Sequence, residues 1–342
     1  MSYRHVIVAE FGGAEKLKVV EEEHLPEPTA TQVRVKVLAA GTGFTDTIIR
    51  EGQYVDVKDK PPFTLGYDWF GVVDKVGSAV TDFKEGQYVA DMPVIGGYTE
   101  YLCVDADQLV AAPEGLDPAE AVCMILSYTT AYQMLTRVRD LKPGSKCLVH
   151  AAGGAVGTAL LELGRVMGLE MYASASQGKK ALVEGFGATH IDYRNEDFVE
   201  RSLALTGDGM DVIFDTIGGK NWGRSYQALA KGGVLIAFGA LQVTSGEEKI
   251  PSLLWGFAKL LGLWKLLPDG KGSTFYNIHT RRGKLPDEFK QDVQSLFALL
   301  KAGKLQPAVA ARLPLDQAAE AHRRIDKAEV LGKIVLMMEH GN

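Results

Sequence analysis

The chain has 342 residues, of which 38 are glycine, and 37 lysines and arginines stand against 43 aspartates and glutamates for a formal charge of −6. That length suits two domains, and the acidic balance offers no bulk positive field to recruit nucleic acid or an anionic membrane. Three cysteines, Cys103, Cys123 and Cys147, form an odd, sparse set with no two at metal-ligand spacing, so buried thiols are expected and a bound metal is not. The first residues, MSYRHVIVAEFGG, read as a short strand into a turn with no secretory apolar stretch, and a cytoplasmic setting is expected. Val33 to Val37 alternates apolar and charged residues as a half-buried antiparallel strand does, and Gly71–Val76 and Tyr98–Val104 predict further strands. From Pro118 the pattern changes to a helical segment through Tyr128 to Leu135, and then to strands alternating with helices.

Residues 146 to 176 carry the most information. An apolar strand, Cys147–Val149, enters the turn Ala151-Ala152-Gly153-Gly154-Ala155-Val156-Gly157; then comes a helix with Val156, Ala159, Leu160, Leu163 and Met167 on one face, and a second apolar strand. Glycines let a backbone approach a pyrophosphate, and the helix start turns free N–H groups toward it, so the pattern predicts a dinucleotide site. No acid appears from Met171 until Glu184, where an NAD site would hold a ribose hydroxyl. Ser174, Ser176, Lys179 and Lys180 offer donors and positive charge instead, which favours NADPH.

Further on, Met210–Asp215 and Gly233–Gly239 are continuous apolar strands separated by the helix Asn221–Ala230, the βαβ sign of a doubly wound parallel sheet. The apolar stretch Ile250–Leu267 is too short and too charged to span a bilayer, and reads as a lid or subunit-interface helix, with membrane-surface contact the other reading. Two amphipathic helices, Phe289–Lys301 and around Asp316–Ile325, precede a last strand, Lys333–Met337. The expected division is α/β: residues 1–124 with 278–342 as one β-rich domain, and 125–277 as a Rossmann domain.

The motifs Ala40-Gly41-Thr42-Gly43-Phe44-Thr45-Asp46, Arg50-Glu51-Gly52-Gln53-Tyr54, Gly66-Tyr67-Asp68, Pro143-Gly144, the Ala151–Gly157 turn, Asp215-Thr216-Ile217-Gly218-Gly219 and Gly332-Lys333-Ile334-Val335-Leu336 occur in that order. Together they resemble the medium-chain dehydrogenase/reductase superfamily, and within it the zinc-independent quinone oxidoreductase branch near zeta-crystallin. The resemblance implies a GroES-like catalytic domain, a homodimer, and NADPH-driven hydride transfer to a small hydrophobic quinone or enone. It implies pyrophosphate contacts from Gly154, Ala155, Val156 and Gly157, with Ser174, Lys180 and Tyr193 around the 2′-phosphate. Thr130 and the strand end Phe238-Gly239-Ala240 would flank the nicotinamide, and Ile217 would complete the cofactor site. Tyr54 matches a tyrosine that enoyl-thioester reductases use near the substrate. An enoyl-thioester reductase, or a low-turnover nucleotide-binding or vesicle-associated protein of the same fold, is the alternative.

The chain also departs from its relatives. Zinc alcohol dehydrogenases place a cysteine where Gly43 stands and a histidine where Tyr67 stands, so the zinc Lewis acid is not expected. Quinone oxidoreductases commonly carry asparagine at Gly43, an aromatic or polar residue near Ile48, and an arginine where Ala328 stands.

Overall fold

The structure, a computed structural model, describes residues 1–241 and 250–338. It divides into two compact units, Met1–Thr129 with Leu285–Asn342, and Thr130–Lys284.

In the first unit a mixed sheet runs in the order Val309–Pro314, Lys333–Met337, Gln32–Gly41, Asp68–Val76, Tyr88–Asp91 and Val110–Ala111. Its spine is Gln32–Gly41, where Val33, Val35 and Val37 are fully buried and the residues between them are not, as their alternation predicted. One edge of this long strand serves two partners. Tyr101–Asp105 pairs with residues 32–36, and Lys333–Met337 pairs antiparallel with residues 39–41. Lys333–Met337 thereby joins a sheet whose earliest strand is about 300 positions before it. A second, three-stranded sheet holds Leu17–Glu22, Tyr3–Val8 and Phe63–Thr64. The helix Pro118–Cys123 starts cleanly because Asp117 accepts the N–H groups of Ala119 and Glu120 at 3.0 and 3.1 Å and proline opens its first turn. The helix Pro286–Lys301 buries Phe289, Val293, Leu296 and Phe297, the last edge-on to Phe70.

The second unit is a six-stranded parallel sheet in the order Thr189–Asp192, Glu170–Ala175, Lys146–His150, Met210–Asp215, Leu229–Ala237 and Gly272–Phe275. Numbered along the chain this is 3-2-1-4-5-6, the doubly wound dinucleotide order. The chain reverses its direction of travel across the sheet at Lys146–His150, so the crevice of such folds opens at that strand's carboxyl end. Leu148, Phe198, Ile213, Trp222 and Leu235 form the core beneath it.

The apolar stretch forms a helix, Ile250–Leu261, and a short 3-10 turn, Leu263–Leu266. One side is pinned to its own unit: Phe257 meets Trp222 and Phe275 edge-on at 5.1 and 5.0 Å, and Trp264 stacks on Tyr226 at 4.4 Å. The other side leaves Leu254 64% and Trp255 56% exposed, with Lys259 over the Trp255 ring. Among the described residues no helix is long and apolar enough to cross a membrane. The three cysteines are free thiols; Cys123 and Cys147 are buried as expected, whereas Cys103 is half-exposed. It sits on a strand that covers only part of the edge of Gln32–Gly41.

Candidate functional site

The glycine-rich turn sits at the crevice. The strand Lys146–His150 ends, Ala151 takes a left-handed conformation (φ 51°), and the helix Ala155–Val166 begins behind Gly154. Gly154 has no side chain to cap that helix, and uncapped first-turn N–H groups are the kind that can hold an anion. Gly157 is required by close approach: a Cβ there would lie 2.6 Å from the Ala151 carbonyl oxygen and 2.7 Å from Ala152. The first turn of the helix is packed on the backbone of the turn that leads into it, as a dinucleotide turn needs.

Ser174 is buried at the end of Glu170–Ala175, and its carbonyl accepts the N–H of Ala152 at 3.3 Å, which ties the second strand to the turn. Beyond it the chain holds no carboxylate until Glu184. Instead Lys179 lies across the turn, where a Cβ on Gly153 would run into its side chain, and burial lowers its ammonium below the ordinary lysine value. Lys180 points to solvent, 3.8 Å from Glu184, a loose exposed pair of little worth. Tyr193 is exposed beside Arg194 after the third strand, where Asp192 spends its carboxylate on the Arg194 N–H and the Asn195 amide. In sequence Lys179 and Lys180 form one basic pair, with Lys180 the expected 2′-phosphate contact; contact with Gly153 distinguishes Lys179, and only the fold shows it.

The loops after the fourth and fifth strands are held together. Asp215, fully buried, accepts the N–H groups of Ile217 and Gly218, the Asn221 amide and the Ser225 hydroxyl at 2.8, 3.2, 2.9 and 2.6 Å. Since Ser225 donates to Asp215, its oxygen accepts from His150 Nε2 at 3.1 Å, and burial keeps that imidazole neutral by lowering its pKa. Phe238 donates its N–H to the Asp215 carbonyl, and Ala240 lies against Gly218, so Ile217, Phe238, Gly239 and Ala240 occur in two adjoining loops. Thr130 is buried, within the short helix Thr129–Gln133.

Tyr54 belongs to the first unit. It follows the helix Phe44–Arg50, whose last residue is buried and anchored: Arg50 donates to Gly12 O, Asp326, Glu51 and His322 Nδ1. The Tyr54 hydroxyl is 2.9 Å from that of Tyr67, with the rings edge-on at 87°. Next to Tyr67, Asp68 and Lys333 form a fully buried ion pair at 3.1 Å. Burial lifts the Asp68 carboxyl above its ordinary value while the Lys333 ammonium pulls it back. Asp46 accepts the Gly43 N–H at 2.8 Å, and burial followed by the Asp68 charge pushes its carboxyl up to about 8.

That shift has a sign. Folded Asp46 keeps its proton to about pH 8, whereas an ordinary aspartate releases it near 3.8, so the folded state binds more protons in between and loses stability as pH rises through that window. Asp46→Asn should gain in melting temperature over the unaltered chain at pH 8 and gain little at pH 4. An equal difference at both pH values would refute a neutral Asp46.

Comparison with known proteins covers both units. Residues 29–114 match the alcohol dehydrogenase GroES-like domain model, and residues 186–336 match that of zinc-binding dehydrogenases. The synaptic vesicle membrane protein VAT-1 homolog of Danio rerio is 30% identical over 99% of this chain and 70% of its own length. Human quinone oxidoreductase is 29% identical over 98% of both chains. The crystal structure of Escherichia coli quinone oxidoreductase complexed with NADPH superposes with a TM-score of 0.85 at 27% identity, over 98% of this chain and 99% of that one. With the 3-2-1-4-5-6 sheet, the glycine turn and this full-length likeness, the chain belongs to the medium-chain dehydrogenase/reductase superfamily, among the quinone oxidoreductases and VAT-1 proteins.

Proposed function

We propose that this protein is an NADPH-dependent oxidoreductase that works without zinc and reduces a quinone or the activated C=C of an α,β-unsaturated carbonyl. The observation that carries the reading is the end of the second parallel strand, where Ser174 and the Lys179–Lys180 pair stand and no carboxylate does. A 2′-phosphate fits there, and a bare ribose hydroxyl finds no acidic partner. The uncapped helix start at Gly154–Gly157 fits the pyrophosphate, with Tyr193 beside the 2′-phosphate. Thr130, Ile217, Phe238, Gly239 and Ala240 complete the cofactor contacts in this reading.

When bound, NADPH supplies the hydride. The protein's own residues hold it, orient it and manage the proton. Gly43 has no ligating side chain, the Tyr67 hydroxyl is engaged by Tyr54, Asp68 is engaged by Lys333, and Asp46 keeps its proton at neutral pH. None of these offers a zinc ion a free thiolate, imidazole or carboxylate. A quinone or enone is electron-poor enough to accept hydride without that Lewis acid. Charge then appears on the carbonyl oxygen, where the Tyr54 phenol is the proposed proton donor.

The test is NADPH and NADH oxidation against a panel of quinones and alkyl enones, with cofactor affinity measured alongside. A charge-assisted phosphate contact is worth about 1.5–3 kcal/mol, so Lys180→Ala should raise the NADPH dissociation constant about tenfold or more and leave NADH nearly untouched. Equal effects on both cofactors would overturn the 2′-phosphate assignment.

The exposed Leu254, Trp255, Leu266 and Leu267 beside Lys259 and Lys265 favour a second reading, a membrane-surface contact on a nucleotide-binding protein of low turnover. Flotation with anionic liposomes in the absence of turnover would support it. Robust turnover without flotation would reject it.

A further inference from the structure

We propose that Tyr67 is the positioning residue of the acid–base site, donating its hydroxyl hydrogen to the Tyr54 oxygen so that the Tyr54 hydrogen is left for the substrate. This rests on the proposed reading of Tyr54 as proton donor and names the residue that makes it one.

The direction of the bond follows from burial. Tyr67 is 1% exposed, so its hydroxyl hydrogen needs a protein acceptor, and the Tyr54 oxygen stands 2.9 Å away. Tyr54 is only partly covered, on a loop whose Gly52, Gln53, Val55 and Asp56 are all exposed, so it is the member of the pair that faces outward. A phenol oxygen accepts one hydrogen bond while its own hydrogen donates another, and the two roles need not compete.

Tyr67 is well placed to act as a fixed donor. Its carbonyl accepts the Val94 N–H at 3.2 Å, its ring is locked edge-on to Tyr54, and its neighbour Asp68 is tied to Lys333. The hydrogen bond also acts on acidity. Burial raises the Tyr54 phenol above its ordinary value, and the bond from Tyr67 pulls it back toward the range where it can release a proton. Tyr67 itself is pushed well above its ordinary value, first by burial, so it keeps its own hydrogen.

The step balances. Hydride added at the β-carbon of an enone would move the C=C electron pair toward the carbonyl oxygen, and that enolate oxygen takes the Tyr54 proton as the phenolic O–H bond breaks, giving an enol that tautomerises to the ketone in water. The Tyr54 phenolate left behind is stabilised by the Tyr67 hydrogen bond and recovers a proton from water. Tyr67 transfers nothing; it holds and acidifies.

The experiment is a double-mutant cycle on enone reduction by the full chain, with quinone reduction and NADPH affinity measured in parallel. Tyr67→Phe should lower the enone kcat about tenfold, the effect of one lost hydrogen bond, and leave NADPH affinity and quinone turnover unchanged. In a Tyr54→Phe background it should change nothing more. An equal loss in both backgrounds, or no loss in the first, overturns the inference and makes Tyr67 part of the scaffold. Should Tyr67→Phe fold poorly, Tyr67→Gln, which keeps a donor, is compared with Tyr67→Leu, which has none. Greater retention by Gln supports the inference, and equal activity overturns it. Failure of the unaltered protein to reduce any enone refutes the Tyr54 reading itself, whereas turnover that is insensitive to Tyr67→Phe refutes only the inference.

Discussion

Replacing Lys333 with methionine should destabilise the protein by about 3–5 kcal/mol, because it leaves the Asp68 carboxylate buried without a counter-charge. Both side chains are essentially inaccessible, and only uncharged backbone donors, among them the Leu126 N–H at 3.2 Å and the Gly41 N–H, would then face the Asp68 carboxylate among the described residues. The melting temperature should fall by on the order of 10 °C. The deficit should narrow at acid pH, where protonation removes the stranded charge. Removing both partners, Asp68→Asn with Lys333→Met, should recover much of the loss, since the cost lies in the unpaired ion and not in the absence of the pair. A single variant that melts normally at pH 8 would show that water or another cation reaches Asp68.

Tyr54→Phe should, on the proposed mechanism, reduce enone turnover about a hundredfold or more, the usual scale for a positioned general acid. The substitution keeps the ring that sits edge-on to Tyr67, so the fold and NADPH affinity should be preserved, although the buried Tyr67 hydroxyl loses its acceptor at a cost of about 1–3 kcal/mol in stability. Quinone reduction should hardly change, because the product oxygens can take protons from water. A loss confined to the enone supports proton donation by the phenol. Equal loss on both substrates would point to a damaged site, and no loss on either returns Tyr54 to the scaffold.

Much of both units was written locally in the chain. The apolar strands Met210–Asp215 and Lys333–Met337 occur where the sequence reading placed them, and the alternation around Val33–Val37 specified which face is buried. These follow from short-range periodicity and the conformational needs of each residue. The glycine turn and the missing acid after the second strand are equally local, since a nucleotide-binding turn is built within one strand–turn–helix–strand unit. Boundaries drifted where propensity and pairing compete: Ala228–Ala230 continues the helical pattern, yet Leu229 already begins a strand.

The rest was decided by tertiary structure. Lys333 reads as an ordinary charged residue opening a strand, and its burial comes from a carboxylate 265 positions away. His150, Ser225 and Asp215 meet because adjacent parallel strands bring distant segments to one end of a sheet. Lys179 and Lys180 are indistinguishable by composition, and only the turn they follow decides which one crosses Gly153. Tyr54 and Tyr67 lie in separate motifs, one on a loop and one before a strand, and nothing in either predicts a shared hydrogen bond. A sequence specifies the period and turn chemistry of each element by itself. Which side chains face one another depends on the pairing of distant strands, and that pairing is set by the packing of the whole core.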